Sequence, residues 1–129
     1  MQKPIKLLMS RDDFYHQRGY WIVVKALSDA GLEVVLGGIQ IPREIVETAI
    51  QEDVDMIGYR IMQAAPKIVV PKLFKIMSEK GIGHIPVIVG GIIPEKDEAI
   101  LRELGVKEIF HPLTPLETIV SHVKNIVTT

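Results

Sequence analysis

Between Met9 and Trp21 the chain reads MSRDDFYHQRGYW. A serine, two aspartates and a histidine stand among bulky aromatics, in a stretch that follows an apolar run and leads into a helical pattern. A neutral imidazole can ligate a metal or act as a general base, so His16 is a candidate for either role. Ser10 with His16 and Asp12 or Asp13 also supplies the residue types for nucleophilic hydrolysis, for example of an ester. Such a set is defined by geometry rather than by nearness in sequence, and no Gly-x-Ser-x-Gly elbow is present. Ser10 serves equally well to satisfy backbone groups at a strand end. The stretch can hold a ligand, perform chemistry or be solvated surface.

Other groups that could join it lie after later apolar runs. In YRIMQAAPK, Tyr59 and Gln63 are candidate pocket residues. Arg60 can bind a carboxylate or phosphate through its two-pronged guanidinium, or pair with Asp12 or Asp13. Lys67 becomes a Schiff-base amine only if desolvated. Gly90 and Gly91 in GGIIPEKD allow close backbone approach to a ligand. His111 opens HPLTP. Phe14, Tyr15, Tyr20, Trp21 and Tyr59 are most of the aromatic residues; together they suit an aromatic wall around a flat or apolar ligand, and singly each suits a core. No histidine and carboxylate spacing fits zinc.

Positioning these residues requires a scaffold, and the pattern supplies one. Short apolar runs, IKLLM, EVVL, DMIGY, PVIVG and EIFH, alternate with helix-period segments. The helical segments are GYWIVVKALSDAG, IPREIVETAIQED, KIVVPKLFKIMSEKG, EKDEAILRELG and PLETIVSHVKNIV. Pro71 should kink the third helix or mark its start. Unbroken apolar strands in strict βα alternation predict an α/β fold: a doubly wound, five-stranded parallel sheet, flavodoxin-like in order 2-1-3-4-5, within a Rossmann-like three-layer sandwich. Ligands of such sheets sit at the carboxyl ends of the strands, where the first and third diverge. The Met9–Trp21 stretch leaves the first strand at that end.

The bulk numbers narrow the classes. With 129 residues the chain suits one domain over residues 1–129. A net charge of −1 with scattered Lys and Arg gives no basic face for nucleic acid. The apolar runs are too short to span a membrane. No cysteine is present, which removes disulfides and thiolate metal sites and agrees with a cytoplasmic location.

The segments RGYWIVVKALSDAGLEVVLGG, IVETAIQEDVDMIG, IPVIVGGIIPEKD and LGVKEIFHPLTPLETIV resemble the cobalamin-binding domain of the acyl-CoA mutases, the methylmalonyl-CoA mutase type. The resemblance covers nearly the whole chain and implies a flavodoxin-like domain that holds base-off cobalamin as a small subunit. A separate large subunit would carry the acyl-CoA site. The family motif is Asp-x-His-x-x-Gly, then Ser-x-Leu, then Gly-Gly. By that resemblance His16 is the cobalt ligand, and Gly19, Gly90 and Gly91 match cofactor-contact positions. Phe14 stands at the aspartate, Arg60 at the serine and Met62 at the leucine. The framework agrees while the rim differs, which implies a cobalamin pocket largely replaced, by divergence or by deliberate redesign. Two other readings stay open: a small-molecule pocket with modest His- or Ser-based catalysis, and a non-catalytic binding module. Phe14, Tyr15, Trp21, Tyr59, Gln63 and His111 are its expected lining.

Overall fold

The computed structural model describes residues 3–15 and 17–128. The elements run β1 (Lys6–Arg11), α1 (Gln17–Asp29), β2 (Glu33–Ile39), α2 (Pro42–Glu52), β3 (Met56–Ile61) and α3 (Pro66–Glu79). They continue as β4 (Val87–Gly91), a single 3-10 turn (Glu95–Asp97) leading into α4 (Glu98–Leu104), β5 (Val106–Phe110) and α5 (Leu116–Thr128). The five strands form one sheet in order 2-1-3-4-5, parallel at every pairing. The flavodoxin-like arrangement read from the alternation is therefore the fold. Among the described residues no helix is long and apolar enough to cross a membrane.

β1 and β3 run past their apolar stretches. β1 continues through Ser10 and Arg11, and β3 through Arg60 and Ile61, because a parallel ladder is built from backbone groups and tolerates polar side chains at its rim. Arg11 and Arg60 end opposite one another in the β1–β3 register. α3 begins at Pro66 and runs through Pro71. Pro71 deprives the Lys67 carbonyl of its helical donor, and Lys67 is exposed, so water can supply the missing bond.

Side-chain alternation along the strands makes two cores. Leu8, Ile57, Tyr59, Val87 and Val89 pack with Ile45, Val46, Leu73 and Leu101 from α2, α3 and α4. Leu7, Met9, Met56 and Ile88 pack with Tyr20, Val24 and Leu27 of α1 and Ile119 and Val123 of α5. Tyr20, Val24 and Leu27 recur at helical spacing, so one stripe of α1 turns inward.

Gly91 closes β4 with φ +108°, and a Cβ there would run into the Ile61 carbonyl of the adjacent strand. Gly81 also has positive φ, +80°, but faces open space. Gly81→Ala should cost about 1 kcal/mol from backbone strain alone. Gly91→Ala should cost about 3 kcal/mol or more, because overpacking against backbone adds to the strain. Urea unfolding of the two variants checks this, and equal losses would refute the close approach.

Candidate functional site

A cavity of about 440 Å³ lies on the α1–α5 face of the sheet and opens at the carboxyl ends of the strands. Its floor is Met9, Gly58, Ile88 and Gly90, and its sides are Tyr20, Val23 and Leu27 of α1 and Ile119 of α5. The space exists because the sheet is bare there. Gly58 presents no side chain to α1, and a Cβ on it would come 2.7 Å from Met9 Sδ. The lip is formed by Arg60 and Met62 on one side and by His111, Leu113 and Thr114 on the other.

The lip is charged where β1 and β3 end. Asp12 accepts backbone N–H bonds from Met62, Gln63 and Ala64 at 2.8, 3.1 and 2.8 Å. Its own N–H donates to the Arg60 carbonyl at 3.2 Å. Asp13 is buried with its Oδ1 3.9 Å from Arg60 Nη1, too long for a hydrogen bond. The Arg11 guanidinium lies over the Tyr20 ring, 4.7 Å from its centroid, a cation–π contact. Tyr20 Oη donates to the Met9 carbonyl at 2.9 Å. Burial raises the Tyr20 pKa, and Arg11 and Arg60 oppose that shift. Burial lowers the Arg60 pKa while Asp13 raises it.

The B12 binding domain family model matches residues 6–117. The chain belongs to that family. It is 40% identical over 128 residues to the 2-hydroxyisobutanoyl-CoA mutase small subunit of Aquincola tertiaricarbonis, covering 98% of this chain and 94% of that protein. It is 37% identical to the pivalyl-CoA mutase small subunit of Xanthobacter autotrophicus, over 92% of this chain and 80% of that one. Against the methylmalonyl-CoA mutase of Escherichia coli it is 33% identical over 98% of its own length, but spans only 18% of that protein. A cobalamin-binding protein from Desulfitobacterium hafniense superimposes with a TM-score of 0.77 at 17% identity, over 95% of this chain and 59% of that one. At that identity the likeness speaks for the fold, which response-regulator receiver domains share.

In this B12-binding domain the residues singled out from the sequence separate into distinct groups. Gly19, Tyr59, Arg60, Met62, Gly90, Gly91 and His111 all line the cavity. The Tyr59 side chain, however, belongs to the opposite core, and its Oη donates to the Gln40 carbonyl at 3.4 Å. His111 Nε2 lies 3.2 Å from Glu98 Oε2. Phe14 and Tyr15 are each 69% exposed and stand outside the cavity lining, as does exposed Gln63. Trp21 meets Tyr20 edge-to-face at 5.3 Å. Ser10 is wholly buried on the far face of the sheet, where its Oγ donates to Gln40 Oε1 at 2.6 Å, so it holds the β2–α2 loop and does not reach the cavity. His16, the candidate cobalt ligand and base, lies outside the described residues. Arg11 is the site residue that the sequence reading did not flag, and Asp12 and Tyr20 act here as a backbone acceptor and a buried wall. The signal for Arg11 was strand parity, which puts it on the same face as Met9.

Asp12→Ala leaves three backbone N–H groups without their acceptor and should cost about 2 kcal/mol. An unchanged denaturation midpoint would count against the clamp. Burial first, and Asp12 second, push the Tyr59 phenol up to about 12. The folded state thus favours the neutral phenol, and stability falls as pH rises from the ordinary value of about 10 toward 12. Ultraviolet titration should show this late ionisation vanish in Tyr59→Phe and move down in Asp12→Ala.

Proposed function

We propose that this B12-binding domain, a single unit over residues 1–129, is the small subunit of a two-chain acyl-CoA mutase and holds cobalamin with its nucleotide tail between α1 and α5. The observation that carries this reading is the 440 Å³ apolar cavity itself. A slot floored by Gly58 and Gly90, on the ligand-binding side of a doubly wound sheet, has the chemistry to take a flat heterocycle. Met9, Gly58, Ile88 and Ile119 would enclose the tail, and Gly91 would let the β4 backbone approach it. His16 sits at the sequence position of the axial ligand. When bound, the cofactor supplies radical chemistry. This chain's part is to orient the tail, exclude water along it and present the corrin face to a separate subunit carrying the acyl-CoA site. Exposed Phe14, Tyr15 and Trp21 stand on the stretch next to the opening and offer apolar area to that subunit.

Of the departures that the resemblance implies, Arg60 and Met62 line the lip of the slot and Phe14 stands outside its lining. Phe14 replaces the carboxylate that would orient His16, and such an outer partner is worth about 10- to 100-fold in metal-site affinity. Phe14 points to solvent, so Phe14→Asp has room to restore the partner. Titration with hydroxocobalamin, read by its visible spectrum, should show saturable binding that Phe14→Asp tightens about 10- to 100-fold. Absence of any spectral change in both proteins would overturn the cobalamin reading. Equal affinities would remove the role given to position 14.

A further inference from the structure

We infer that the lip of the slot is an anion site, with Arg60 as the direct ligand for a phosphate or carboxylate group whose apolar body enters the cavity. Arg60 lines the slot, and its Nη2 lies 3.3 Å from where a Gly19 Cβ would be, over the first turn of α1. Its Nη1 is buried and finds no hydrogen-bond partner among the described residues. Arg11, the register partner of Arg60, has Nε and Nη1 in the same condition. Asp12 and Asp13 balance the charge of the two guanidiniums without satisfying these N–H groups. The Asp12 carboxylate is engaged by the backbone of residues 62–64, and the Arg60–Asp13 contact is 3.9 Å. A guanidinium offers its donors in a planar fork that matches phosphate and carboxylate oxygens. An anion at the lip would complete those bonds, and Arg11 beside it offers further unmade N–H donors.

The opposite lip supplies an independent observation. Leu113 has φ 71° and is 100% exposed. A leucine gains nothing in the fold from that strained, solvated position. Beside the opening it is placed to cover the apolar body of a ligand whose charge sits on Arg60.

Two sources carry this chemistry: the phosphodiester of a cobalamin nucleotide tail, which rests on the function proposed above, and a free organic phosphate or acid. Calorimetry with 1-naphthyl phosphate and the neutral 1-naphthol separates the anion site from simple apolar binding. The phosphate should bind at least about tenfold more tightly, with an affinity that falls as salt rises. Arg60→Met should abolish the preference, Arg11→Met should reduce it, and Arg60→Lys should keep part of it. The lysine variant keeps the test valid if the methionine variant misfolds. Equal binding of the two probes, no binding of the phosphate, or an unchanged preference in a folded Arg60→Met would overturn the inference. Displacement of bound naphthyl phosphate by hydroxocobalamin but not by cobinamide, which lacks the nucleotide tail, assigns the site to the tail. Displacement by neither assigns it to a free anion. The calorimetric preference stands or falls separately from the visible spectrum, so failure of the cobalamin reading is distinguishable from failure of the anion site.

Discussion

The carboxylate of Asp12 holds the two central loops together. β1 and β3 are neighbours whose following helices pass to opposite faces of the sheet, so their loops diverge at the rim. Divergence leaves backbone N–H groups at the start of the β3–α3 loop with no strand to bond. Asp12 supplies the acceptor for three of them, and its own N–H extends the ladder by one more bond to Arg60. The side chains at the lip inherit their places from this junction. Arg11 and Arg60 end side by side, Asp13 lies beneath Arg60, and Met62 is held at the edge of the cavity.

The sheet divides structural from ligand-facing polarity by alternation. On the α2 side, Ser10, Gln40, Thr48 and Tyr59 form a closed network: Gln40 accepts from Ser10, donates through Nε2 to Thr48 at 2.8 Å, and receives Tyr59 at its carbonyl. Gly37 is required beside it, because a Cβ would come 2.5 Å from both Ser10 Oγ and Gln40 Oε1. Buried polar groups satisfied in this way hold a loop in place and have no capacity left for a ligand. On the α1 side the same strands present Met9, Gly58 and Arg60, where among the described residues no hydrogen bond reaches Arg60 Nη1. Polar residues one position apart in sequence thus have opposite purposes, and Ser10 loses its candidacy as a nucleophile on that ground.

The fold was legible because a parallel sheet covered on both faces needs unbroken apolar strands, and IKLLM, DMIGY and PVIVG announce them without ambiguity. The strand ends were not, since Ser10, Arg11 and Arg60 continue the ladder through backbone bonds that leave no mark on hydropathy. At the site, the loop after β1 was legible as the place and only partly as the residues. Phe14 and Tyr15 belong to a turn with no periodicity, so nothing in their spacing reveals that they face water. Tyr20 could be read, because it begins the stripe completed by Val24 and Leu27. Tyr59 could be read from strand parity too, since it alternates with Gly58 and so faces away from α1.

Arg60 looks like an obstruction when the motif alone is considered, because it stands where a small serine is expected. An arginine closes an apolar slot only when the protein itself satisfies its fork, for then the closed arrangement loses nothing by excluding a ligand. Here the slot behind it remains open at about 440 Å³, and Nη1 remains without a hydrogen bond among the described residues. A buried donor left unmade costs about 1–3 kcal/mol, which a group accepting from Nη1 would recover. A neutral apolar molecule would fill the slot without relieving that cost, whereas an anion would relieve it. With Arg60 as the anion ligand inferred above, the slot selects on shape and charge together.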